Sequence, residues 1–86
     1  MTTQDTTYNG WTNRETWNTQ LWITNDYGTY KTIMELYRTS KNEGDLADSM
    51  EYYLNLIWDF VTPDGVSLNP VNWAELGDSW YEDNKP

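Results

Sequence analysis

The side chains able to do chemistry in this chain are carboxylates, and their placement is one-sided. Residues 42–84 carry ten of them (Glu43, Asp45, Asp48, Glu51, Asp59, Asp64, Glu75, Asp78, Glu82 and Asp83) and no lysine or arginine, whereas residues 1–41 balance four acids against four bases. A spaced carboxylate pair can serve as acid and base in glycoside hydrolysis, and Glu51 and Glu75 are nameable for it. The pair is poorly specified, because acids are common here and so small a chain has little material for a sugar cleft. Other reactions lack their groups. With no histidine and no cysteine, the usual zinc ligand sets, thiol catalysis and an imidazole-assisted serine mechanism are excluded. There is no glycine-rich phosphate loop followed by lysine, and no calcium loop with its glycine and twelfth-position glutamate. The expectation is a protein that is not an enzyme and uses no cofactor.

Binding is the better use of these acids. Asp45, Asp48, Tyr52, Asn55 and Asp59 recur at helical spacing on one face, which a rise of about 1.5 Å per residue spreads over roughly 20 Å. Such a ladder of separated negative charges can imitate spaced phosphates and occupy the Lys/Arg-rich groove of a nucleic-acid-binding protein. A solvated helix face also needs polar residues, so the ladder gains weight only from the absence of any base between Lys41 and Lys85. A net charge of −9 repels nucleic acid and anionic membrane and attracts cationic surfaces. Tryptophan and tyrosine can stack on bases, but that use goes with a basic groove, so no direct nucleic-acid contact is expected. Trp17, Trp58, Trp73 and Trp80 read as core. Trp22 leaves the Trp17/Leu21 face and is the candidate for an exposed anchor, a position where tryptophan is enriched.

Four elements must position these groups. Residues 1–10 read as a polar arm that ends in an Asn9-Gly10 turn, followed by a single helical domain over residues 11–83. Thr12 and Glu15 have capping-box spacing, with Asn13 a competing cap, and start a helix over residues 13–24. Asp26 caps a second helix over residues 27–40, whose stripe is Tyr27, Tyr30, Ile33, Met34 and Tyr37, with Lys31 and Glu35 paired at i,i+4. Asn42-Glu43-Gly44 breaks the pattern, and Asp45 caps a third helix over residues 46–61 with Leu46, Met50, Tyr53, Leu54, Ile57, Trp58 and Val61 inward. The turn 62–65 ends it, and a last short helix begins at Asn72, burying Leu76 and Trp80. The fold class expected is all-α, a compact bundle of three main helices plus a short C-terminal helix.

The 86 residues provide one core, and a domain of this size buries only about 60 to 65% of its unfolded surface. Six tryptophans and seven tyrosines make up the difference, since each buried aromatic removes roughly 150–250 Å² from water. The absence of cysteine fits a reducing compartment. The first residues lack the basic and apolar regions of a secretory signal, and no apolar run approaches the roughly 20 residues that span a bilayer. A soluble cytoplasmic protein is expected.

The segment 9–26, with Gly10-Trp11-Thr12-Asn13-Arg14-Glu15-Thr16-Trp17 followed by Leu21-Trp22, resembles the opening of a group of small proteins carried by phages, plasmids and other mobile elements, which share Gly-Trp-Thr-Asn-x-Glu-Thr-Trp and Leu-Trp. Residues 71–80 are similar to that group's closing Asp-Trp-x-x-Ile-Ala helix, with Asn72 and Gly77 at variant positions. The resemblance supplies a genomic setting and no catalytic residue. In that setting small acidic proteins block host restriction or CRISPR machinery. The functional expectation is an acidic inhibitor that binds a basic host protein or nucleoprotein complex. The alternative is a homodimeric structural or regulatory adaptor whose contacts use Trp22, Ile23 and Leu36.

Overall fold

A computed structural model describes residues 8–84. Four helices follow one another: α1 (Arg14–Asn25), α2 (Tyr27–Thr39), α3 (Glu43–Trp58) and α4 (Trp73–Asn84). The fold is an all-α bundle, and α4, at 12 residues, equals α1 in length. Among the described residues no helix is long and apolar enough to cross a membrane.

The connections explain where the helices stop. A single residue, Asp26, separates α1 from α2. Its extended backbone donates to the Trp22 carbonyl to close α1, while its carboxylate accepts from the amide and hydroxyl of Thr29 to open α2. These two bonds hold the Asp26 carboxyl below its ordinary pKa. The Asn9-Gly10 turn forms as expected, both residues at positive φ, with Tyr8 and Trp11 exchanging backbone hydrogen bonds. The Tyr8 ring then lies 4.9 Å from that of Trp17. The remainder of the expected arm, residues 1–7, lies outside the described residues.

Helix α3 starts three residues earlier than its spacing suggested. Asn42 is the cap, its Oδ1 accepting from the Asp45 amide at 2.8 Å, and Asp45 reaches back to accept from the Lys41 amide at 2.9 Å. Gly44 is no breaker there: it is the second residue of α3, in a first turn secured by the Asn42 cap. The helix also ends early, at Trp58. Asp59 and Phe60 both adopt left-handed backbone, at φ 53° and 69°, which turns the chain before Val61 and Pro63 are reached. The segment behind it folds back: Val61 pairs with Ser67, Thr62 exchanges bonds with Val66, and Leu68 donates to the Phe60 carbonyl.

The core is Ile23, Ile33, Leu46, Met50, Leu54, Leu68, Val71, Leu76 and Trp80. Trp11, Trp58, Trp73 and Tyr37 pack against it half-buried. The closest packing is between α3 and α4, where Gly77 faces the first turn of α3 so tightly that a Cβ there would sit 2.5 Å from the Glu43 carbonyl oxygen. α1 buries a polar face, Thr16, Asn18 and Thr19 beside Ile23. The Thr19 hydroxyl is satisfied by the Glu15 carbonyl, so burial leaves that group hydrogen-bonded. Four residues of the expected inward stripes are corrected: Tyr27 and Tyr30 of α2 are exposed, as are Ile57, in the last turn of α3, and Val61, which lies past the end of that helix.

Candidate functional site: an acidic, apolar groove on α3

Two rows of side chains run along the outer face of α3 at four-residue steps. Asp48, Tyr52 and Leu56 form one, and Glu51, Asn55 and Asp59 form the other; residues four apart are neighbours on a helix surface. Phe60 extends the first row past the end of the helix. Together these seven residues line a groove of about 600 Å³. Its apolar members are markedly open, with Tyr52 exposed at 74%, Leu56 at 67% and Phe60 at 60%. The carboxylates of Asp48, Glu51 and Asp59 border them.

Backbone strain fixes one end of this groove. A left-handed aspartate is a tolerated C-cap, but a bulky residue at positive φ is an outlier. Phe60 is held there by its carbonyl, which accepts from Leu68 at 2.9 Å, and by the paired segment behind it. The ring is thereby directed to the surface instead of the core.

Four of the residues expected to form the partner-binding face, Asp48, Tyr52, Asn55 and Asp59, are brought together. Asp59 contributes as the residue that ends α3, not as a member of its last turn. Asp45 stands outside the groove, in the first turn, with its carboxylate on the Lys41 amide. Trp22 is less open than expected. It is half-buried, and its Nε1 donates at 2.9 Å to Asp64, which also accepts from Asn18 at 3.0 Å. These two donors, aided by the charge of Arg14, hold the Asp64 carboxyl below its ordinary pKa. Ile23 is fully buried and Leu36 packs half-buried on the core, so Ile23 is not open to the expected dimer contact. Glu51, Leu56 and Phe60 are additions. The signal for Leu56 and Phe60 is a second four-residue series, 52, 56 and 60, that does not coincide with the inward positions 46, 50 and 54, and Glu51 falls four before Asn55.

The residues of the N-terminal motif do different work. Asn13 caps α1, not Thr12: its Oδ1 accepts from the Thr16 amide and hydroxyl, and its Nδ2 donates to the Pro70 carbonyl. Thr16 Oγ1 accepts from the Asn72 amide, Asn72 in turn accepts from the Glu75 amide, and Glu75 accepts from the Thr12 amide. The result is a closed hydrogen-bond ring that fastens the starts of α1 and α4 together. Glu15 takes no part in the cap.

Counter-charges are sparse around the acids. Among the described residues the salt bridge found is Arg38 to Glu35 at 3.1 Å, within α2, in place of the expected Lys31–Glu35 pair. Among the described residues no base forms a salt bridge with Asp48, Glu51 or Asp59. No three carboxylates converge as a cation site among the described residues.

A model described as "Family of unknown function (DUF7249)" matches residues 4–82, nearly the whole chain. The chain belongs to this family. Comparison with curated proteins and with solved structures finds no match. The matched span takes in both the groove and the ring that joins α1 to α4, so membership of DUF7249 covers the architecture as a unit and assigns no activity to it.

Proposed function

We propose that this DUF7249 chain is a non-catalytic, acidic protein-binding inhibitor that acts in a host cytoplasm on a basic protein or nucleoprotein complex of nucleic-acid processing or defence, as an anti-restriction or anti-CRISPR protein of a mobile element would. The carrying observation is the ten carboxylates of residues 42–84, with no lysine or arginine among them. Of these, Asp48 and Glu51 on α3 and Asp59 at its C-cap face solvent. Long-range attraction speeds encounter with a cationic surface, and charge pairs desolvated on contact set specificity. The resemblance of residues 9–26 to phage and plasmid proteins supports the setting.

The test is affinity capture from host lysate at low and high salt. A basic nucleic-acid-processing protein retained at low salt and released at high salt is the expected result, and Asp48→Asn with Asp59→Asn should reduce its retention. Capture that ignores salt and that double substitution overturns the reading. A second reading, the homodimeric adaptor, draws support from the open apolar residues Tyr52, Leu56 and Phe60; sedimentation of the purified chain over a range of concentrations separates the two.

A further inference from the structure

Pure imitation of phosphates does not account for a groove floored by carbon. Building on the proposed function, we infer that the groove receives a cationic amphipathic helix of the partner, its apolar side chains packed on Tyr52, Leu56 and Phe60 and its lysines or arginines paired with Asp48, Glu51 and Asp59. Three observations point to this occupant.

Tyr52 and Leu56 stand four residues apart on α3, a spacing at which helices present apolar stripes to one another, and Phe60 lines the same groove from just past the helix end. Their exposure of 74%, 67% and 60% is gathered in one groove, along the C-terminal half of α3 and the turn after it, which is how recognition surfaces differ from scattered surface hydrophobics. Phe60 is kept outward by backbone at φ 69°, and strain of this kind persists at ligand clamps when the surroundings impose it.

Charge decides between occupants. A second copy of this chain placed across a two-fold axis would set Asp48, Glu51 and Asp59 against the same three groups, since such an interface joins a patch to itself. A nucleic acid or anionic membrane meets the same repulsion, whereas a cationic amphipathic helix satisfies both the floor and the rim. The carboxylates then attract and align it, and apolar burial supplies affinity that salt does not remove.

The experiment measures binding of two synthetic helical peptides of equal length and charge, one built of lysine and leucine on opposite faces, the other of lysine and serine. The Lys/Leu peptide should bind about tenfold or more tightly than the Lys/Ser peptide, a ratio that burial of one large apolar side chain supplies. Leu56→Ser with Phe60→Ser should abolish this preference while circular dichroism stays unchanged, because both side chains are exposed. Asp48→Asn with Asp59→Asn should weaken both peptides and flatten their salt dependence. Equal binding of the two peptides, or a preference that survives Leu56→Ser with Phe60→Ser, overturns the groove inference and leaves the electrostatic reading standing. If neither peptide binds, both fall. Dimerisation of the chain alone that the same two serine substitutions abolish would assign the groove to a second copy and overturn the inference.

Discussion

Asn13 makes three hydrogen bonds with one side chain, two at the start of α1 and one to the Pro70 carbonyl across the molecule. Alanine there removes a helix cap and one of the ties that hold α4 against α1, and a lost cap alone costs about 0.5–2 kcal/mol. The expected outcome of Asn13→Ala is destabilisation of about 1–2 kcal/mol, read as a fall in Tm of roughly 4–8 °C per kcal/mol. Asp64 gives a pH-dependent counterpart. Donors from Asn18 and Trp22 lower its carboxyl pKa in the folded protein. A group whose folded value is depressed adds stability above the unfolded value, about 3.9, and this contribution disappears as pH falls through the lower folded value. Urea midpoints of wild type and Asp64→Asn should therefore differ at neutral pH and converge below the ordinary carboxyl range. A gap that stays constant with pH would falsify the role given to the ionised carboxylate.

Helix α4 is held against α3 by the absence of a side chain at Gly77. Alanine would gain about 1 kcal/mol in helix propensity, yet its Cβ would lie 2.5 Å from the Glu43 carbonyl oxygen and 3.2 Å from the Ala47 Cβ. Backbone cannot move aside as a flexible side chain can, and overpacking costs about 1–3 kcal/mol. Gly77→Ala should thus lower Tm despite improving the helix, whereas alanine at solvent-exposed Gly28, whose Cβ would meet only the tip of Asp26 at 3.9 Å, should raise it. The same packing marks what periodicity could and could not reveal. Leu46, Met50 and Leu54 were legible as the inner stripe of α3, as were the order of the four helices and the cap at Asp26. The ends of α3 were not, because they depend on two residues adopting left-handed backbone and on Asn42 outcompeting Asp45 as cap. Four of the six expected partner-facing residues share the groove because they stand on α3 or its cap, so helical spacing alone was enough to unite them. Trp22 was misplaced for a different reason: its partner, Asp64, is 42 positions away, and nothing local signals that hydrogen bond.

At the scale of the molecule, one field has two consequences of opposite sign. The net charge is −9 on a body measuring 43 × 29 × 20 Å, so many carboxylates lie farther apart than the Debye length of about 10 Å at 0.1 M salt and close enough to interact at 0.01 M, where it is about 30 Å. Repulsion among them destabilises the compact state. Adding sodium chloride screens it, and the Tm from calorimetry should rise between 0.01 and 0.15 M, where ~30 Å screening contracts to ~8 Å. Over the same interval the affinity for the Lys/Leu peptide should fall, because the attraction that draws it in is screened equally. The folded protein becomes more stable as it becomes a weaker binder. A Tm that declined with salt would mean that local pairs such as Arg38–Glu35 outweigh the collective repulsion, and the acidic surface would then be a stabilising feature of the fold instead of a cost retained for recognition.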